Sequence, residues 1–239
     1  MASVLDLIKS ACRRSGQTVP TTLVTSPSDF ELQYLEVFVE LCEDLLSRGM
    51  WPQLKKSYSF TTTSADEYAF PTDYYTPCVD THWDQTNHWP LKGPVTDGEF
   101  AKQTYWFGPT YTKTTFRVFG GQYSGVKKPF QMVPVASGLT FGFDYISNLY
   151  IYDSTGATGK AAVTVDTDIC LFPDEIIKAG WPHFWYKSRG QDNSKAELHY
   201  ERMLSRTIFR LVGPAISSRT PHSEDLVPFN TAEGGWDVS

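Results

Sequence analysis

The sequence predicts an α+β protein. A four-helix bundle is formed by N- and C-terminal helix pairs, an antiparallel β-sandwich or barrel-like domain is inserted between them, and an extended C-terminal arm follows. Three observations lead there. The apolar period is about 3.6 residues at both ends of the chain and about two between residues 57 and 170. Neither helix pair can bury its apolar stripe alone, so the pairs most simply pack on each other as one bundle. The ending SRTPHSEDLVPFNTAEGGWDVS has neither period, yet it carries Leu226, Val227, Phe229 and Trp236. The expected organisation is a discontinuous helical domain (1–56 and 171–213), an inserted β domain (57–170) and an arm (214–239).

The first helix is expected from about Val4 to Ser15, with Leu5, Ile8, Ala11 and Cys12 on one stripe and Gly16 as a stop. The second opens on a capping box, Ser28 with Glu31 three residues on, in which each residue satisfies an orphan donor of the first turn. Tyr34, Leu35, Phe38, Leu41, Cys42 and Leu45 form its stripe, and Gly49 ends it. From Tyr58 the runs SYSFTTT, EYAFPTDY, PCVDTHW, TTFRVFGG, FQMVPV and LTFGFDYI read as short strands separated by Gly, Pro, Asn and Asp. Leu139, Phe141, Phe143 and Tyr145 alternate as a strand with one buried face should. A short helix is expected after Thr96.

Helical signals return at LFPDEIIKAGWPHFWYKSRG, where Pro173, Asp174 and Glu175 suit the positive end of a helix. Ile176, Ile177, Trp181, Phe184 and Trp185 supply its apolar side, and Pro182 should remove one backbone bond and kink it. The fourth helix is expected from near Asn193, with Tyr200, Met203, Leu204, Ile208 and Leu211 inward, ending at Gly213-Pro214. The bundle core is thus expected to include Leu35, Phe38, Leu41, Trp181, Trp185, Leu204 and Ile208.

Composition narrows the function classes. With 239 residues and 41% hydrophobic content the chain can bury a sizeable core, and no apolar run approaches the roughly 20 residues that span a bilayer. The start MASVLDLIKSACRRSG lacks the basic-then-apolar order of a secretory signal, so a mature protein made in the cytosol is expected. A net charge of −6 argues against a broad nucleic-acid-binding face. The cysteines (Cys12, Cys42, Cys78, Cys170) form no CxxC pair, and Cys12 and Cys42, on apolar helix faces, are expected to be small buried hydrophobes.

No motif carries chemistry. STGATGKAA, residues 154–162, lacks the first Gly of a phosphate-binding loop and has Ala161 where a Ser or Thr must follow the lysine, so a loop tip is expected. CVDTHWDQTNH brings Cys78, Asp80, His82, Asp84 and His88 close in sequence, but no second ligand pair accompanies them, and a polar strand face leading into a loop is the default. No GxSxG-like elbow is present. Trp83, Trp89, Tyr105, Trp106, Phe107 and Tyr111 would suit a sugar-stacking platform, although packing is the commoner use of aromatics. Lys127-Lys128 beside Pro129 reads as a turn. No enzyme activity, cofactor or metal is expected.

The order of segments is similar to that of bacteriophage head-to-tail adaptor proteins, the connector rings beneath the portal. The likeness lies in LDLIKSACRRSG, in LLSRGMWPQLKKSYSFT, and in EYAFPTDYYTPCVDTHWD with WPLKGPVTDGEF. It continues in RVFGG followed by FQMVPVASGLTFGFDY, in LFPDEIIKAGWPHFWYKSRG and in AELHYERMLSRTIFRL. The resemblance implies a virion structural protein of the neck or tail, assembled in the host cytoplasm. It implies a ring, usually of twelve copies, that binds the portal on one side and a tail nozzle or tail tube protein on the other. Genomic DNA passes through the channel in transient contact, and no membrane insertion is implied. The family's C-terminal extension commonly climbs onto the portal, so Leu226, Val227, Phe229 and Trp236 become candidate portal-docking anchors. The large β insertion and the loop around residues 147–168 depart from the family pattern. The alternative function is a tail-associated carbohydrate- or receptor-binding β module.

Overall fold

The computed structural model describes residues 2–25, 27–63, 65, 67–107, 114–118, 130–133 and 137–212. The protein is α+β: the N-terminal helices pack against the C-terminal pair, and antiparallel sheets lie between them in sequence.

Helix α1 spans Val4–Ser15. It starts where the Asp6 amide donates to the Ser3 hydroxyl (3.1 Å) and stops at Gly16, whose φ of 68° is left-handed backbone that glycine adopts without a Cβ penalty. Helix α2 spans Asp29–Arg48, and the Glu31 carboxylate accepts from the Ser28 amide at 2.7 Å, as the capping pattern predicts. A short helix α3 (Asp97–Lys102) follows Thr96, whose hydroxyl accepts from the Glu99 amide. Helix α4 runs from Asp174 through Pro182 to Ser188, and α5 spans Ser194–Val212.

Helix α4 is the centre of the helical region, in contact with α1, α2 and α5. Trp181 stacks on Trp185 (5.2 Å between ring centroids), and Tyr34 of α2 meets both rings at 5.5 and 4.9 Å. Glycine at position 180 permits the close approach. A Cβ there would stand 2.6 Å from Leu41 Cδ1 and 2.9 Å from the Tyr200 ring. Phe38, Leu41, Trp181, Trp185 and Leu204 are buried in one cluster, with Leu35 and Ile208 half-buried against it.

Strand β1 (Lys55–Thr61) pairs along its whole length with β8 (Thr140–Ser147), aligning Tyr58 with Phe143 and Phe60 with Phe141. The other edge of β8 takes β3 (Tyr74–Pro77) and then β4 (Trp83–Asp84), which carries β5 (Trp89–Pro90). A second sheet joins β2 (Glu67–Tyr68), β7 (Phe130–Val133) and β6 (Thr115–Val118) in that order. The two sheets meet over aromatic rings, with Phe130 at 5.9 Å from both Phe60 and Phe143.

A third, small sheet has the order β10 (Gly159–Lys160), β9 (Ile151–Tyr152), β11 (Ile169–Cys170). It occupies the stretch that reads from sequence as a long loop, and it is fastened to the helices. The Val4 amide donates to the Asp168 carbonyl at 2.7 Å. The Asp166 carboxylate accepts from the Leu23 and Val24 amides and the Thr22 hydroxyl, at 2.8, 3.0 and 2.6 Å. Tyr150, Ile151, Val163 and Cys170 belong to the same buried cluster as the helix residues, as do Cys78 and Ile146. One hydrophobic interior therefore runs from the helices under the edge of the β region.

Candidate interaction surfaces

Of the residues singled out by sequence, the loop at 154–162 is a hairpin tip. Asp153 accepts from the Thr155 hydroxyl at 2.8 Å and the Ala157 amide at 2.9 Å. Lys160 is held by the buried Asp168 carboxylate at 2.6 Å, which also accepts from the Thr164 and Val165 amides. Burial by itself raises the Asp168 carboxyl, but these bonds outweigh it and hold it below the usual carboxylate range. The lysine is committed to a structural pair.

The Cys78–His88 stretch does not form a continuous strand, so its polar side chains diverge. Asp80 and His88 both adopt left-handed backbone (φ 60° and 59°), which breaks the alternation. Cys78 is buried, and Asp84 turns to the Thr86 and Asn87 amides at 2.9 and 3.0 Å. His82 points inward and stacks on Phe116 (4.4 Å) and Phe143 (5.1 Å), where burial pushes its imidazole down to about 4. Among the described residues no group of three or more His, Cys, Asp or Glu side chains could hold a metal ion. All four cysteines are free and buried; burial pushes the Cys12 thiol up to about 11 and raises Cys42, which touches Cys170, as well.

Trp83 stays half-exposed at the rim of a shallow cleft of about 690 Å³ on the outer face of the main sheet. Ser57, Ser59, Asp80, Gln85 and His88 share that cleft. Asp144 closes one end, accepting from Ser57 at 2.6 Å and pairing with Lys55 at 2.7 Å. Trp89 and Tyr105 are exposed as well. The side chains of Trp106 and Phe107, together with Tyr111 and Lys127-Lys128, lie outside the described residues, as do the arm residues Leu226, Val227, Phe229 and Trp236.

The outward faces of α2 and α5 went unread in the sequence. Opposite its buried stripe, α5 presents Leu198, Arg202, Arg206 and Phe209, all exposed, with Lys195 and Arg210 on the flanks. Opposite the α2 stripe lie Leu32, Glu36 and Glu43, with Asp29 and Glu40 beside them. The signal was present: charges of a single sign recur at helical spacing on the side opposite the apolar positions, basic on α5 and acidic on α2. No protein-family model matches the chain, and no curated protein matches it.

Proposed function

We propose that this chain is a bacteriophage head-to-tail adaptor. It closes into a ring, a dodecamer by resemblance, between the portal and a tail nozzle or tail tube protein in the virion neck, and genomic DNA passes through the ring during ejection. The observation that supports the reading most is the single core shared by helices from both ends of the chain, with Tyr34 of α2 wedged against Trp181 and Trp185 of α4. That arrangement suits a connector whose helical body builds the ring and carries the inserted β domain, residues 57–170, with its two larger sheets packed sandwich-like, as a module for the tail. In this reading residues 214–239 form the arm that engages the portal. Leu226, Val227, Phe229 and Trp236 are its anchors, since a few buried apolar residues carry most of an interface's energy. Many arms held by one ring add through effective concentration.

Electron microscopy of the full-length chain with and without portal particles tests the reading. A ring seated on the portal is expected, and deleting residues 214–239 should abolish that seating while leaving the fold intact. Failure of the full-length chain to bind portal, or portal binding unchanged by the deletion, removes the adaptor or the arm respectively.

The half-exposed Trp83 beside the hydroxyls of Ser57 and Ser59 favours a second reading, a tail-associated carbohydrate- or receptor-binding module. Binding of the isolated chain to host glycans, lost on Trp83→Ala, would support it over the connector.

A further inference from the structure

We propose that the basic outer face of α5 docks on the acidic outer face of α2 in a second copy of this chain. The inference deepens the ring reading, on which it rests, by naming the two faces that meet. At about 100° per residue, Leu198, Arg202, Arg206 and Phe209 fall within about 80° of arc on the side opposite the buried Tyr200, Leu204 and Thr207. On α2 the strip of Leu32, Glu36 and Glu43 falls opposite the buried Tyr34, Phe38 and Leu45. Leu198 and Phe209 are 52% and 63% exposed, and Leu32 is 44% exposed.

Charge complementarity names the occupant. The α5 strip carries arginine without any acid, and the α2 strip carries glutamate without any base. Among the described residues Arg202, Arg206, Glu36 and Glu43 enter no ion pair, although the neighbouring flanks are paired: Arg48 with Asp44 and Glu201, Lys187 with Glu40, Arg210 with Glu175. The two strips also match in length. Leu32 to Glu43 and Leu198 to Phe209 each span three helical turns, about 16 Å at ~1.5 Å per residue. One contact therefore satisfies both faces, with apolar residues buried among the charge pairs.

In the ring reading each copy engages one neighbour through α5 and another through α2, which makes the contact heterologous rather than a reciprocal pair. Such contacts repeat head to tail and generate rings when the rotation closes. Exposed ion pairs contribute little singly, so the apolar residues supply the anchoring and the charges supply partner choice and register. Double-stranded nucleic acid fits the α5 strip less well. Leu198 and Phe209 bracket the arginines, and the chain as a whole is acidic, at −6.

Sedimentation of the full-length chain over a wide concentration range tests the proposal. Association should be reversible and weaker in about 1 M salt than in about 0.1 M, where the screening length is longer, roughly 10 Å against 3 Å. Arg202→Glu with Arg206→Glu should weaken it by at least about tenfold, and so should Glu36→Lys with Glu43→Lys. Mixing the two double variants should restore association, since the native α5 face of one meets the native α2 face of the other and the two reversed faces are again opposite in charge. Circular dichroism of each variant guards against simple misfolding, and association restored on mixing is itself evidence that both are folded. A chain that stays monomeric at every concentration, or variants that associate like the parent, overturns the proposal. It is also overturned if deleting residues 214–239 abolishes association while the α2 variant leaves it unchanged, because the acidic tail is then the occupant of α5. A DNA duplex whose binding is lost in the α5 variant while self-association is retained overturns it too. Portal seating that persists in both variants sinks the face assignment but leaves the adaptor reading standing. Self-association without portal binding does the reverse.

Discussion

The helical region and the β region solve the same burial problem with different materials. Around α4 the interior mixes aliphatic side chains, among them Leu7, Ile8, Leu41, Leu45, Ile176 and Ile177, with aromatic ones, and Trp181 and Trp185 lie at its centre. Between the two larger sheets it is almost wholly aromatic: Phe60, Phe116, Phe130, Phe141 and Phe143, with His82 stacked among them. A helix closes its backbone bonds within itself, so any apolar side chain of the right size can fill the space between helices. Strands of two to four residues leave most backbone groups to turns and loops, and broad rings cover more area per residue than aliphatic chains do. The helical region should therefore fail through cavities, and the β region through the polar group trapped among its rings.

The largest expected effect tests the first half of that contrast. Trp181 is fully buried and touches both Tyr34 and Trp185. Trp181→Ala should cost about 3–5 kcal/mol through lost transfer energy and an unfilled cavity, read as a lower urea midpoint at unchanged slope. Because Cys78, Ile146 and Tyr150 share that core, the β region should unfold in the same transition. Two separated transitions would show that the helical and β regions are independent.

The second half turns on His82. Its imidazole is nearly neutral when folded because burial pushes it down to about 4, with Asp144 and Asp80 pulling weakly the other way. In the unfolded chain it titrates near 6.5. Between those values the unfolded state binds the extra proton, so stability is full above about 6.5 and falls as the pH drops toward 4. The loss should approach roughly 3 kcal/mol at the lower end. His82→Phe should flatten this part of the profile, measured as the urea midpoint against pH. Burial raises the carboxyls of Asp73 and Asp144, but their lysine and hydroxyl partners outweigh it and hold them low, so their losses fall in a separate, more acidic window. An unchanged slope in the variant would place the proton elsewhere.

The two regions also differ in how far they can be read from sequence. The bounds of α1 and α2, the Glu31 cap and the start of α4 after Pro173 follow from residues within one or two turns of each other. The alternation of Phe141, Phe143 and Tyr145 is equally local, and their rings lie in the sheet interior. What is not local stayed hidden. Nothing near residue 130 announces that Phe130 pairs with Tyr68 on one side and Val118 on the other. Nothing in residues 147–170 announces that the Asp166 carboxylate and the Asp168 backbone carbonyl fasten that stretch to the chain near Leu23 and Val4, because a polar group in a loop looks solvated until its partners are brought to it. His82 was misplaced for a related reason: the left-handed Asp80 shifts the alternation and turns the ring inward. The outward faces of α2 and α5 are legible as charge at helical spacing, since that pattern too is local.

The smallest expected effect sharpens the contrast at the helical end, where local rules should hold most nearly alone. Glu31 sits in the exposed first turn of α2 and accepts from the Ser28 amide and hydroxyl at 2.7 and 3.0 Å, with longer bonds from Thr21 and Thr22. The Ser28 amide bond, set against a small cost of burial, holds its carboxyl below the usual range. Glu31→Ala should remove those acceptors and cost about 1 kcal/mol, the usual worth of a helix cap. Hydrogen exchange should quicken at the first turn of α2 and at Thr21–Thr22, while the amides of α4 keep their protection. If protection falls throughout α4 as well, the α1–α2 connection is part of the cooperative core rather than a local clasp, and the helical region is less modular than its sequence suggests.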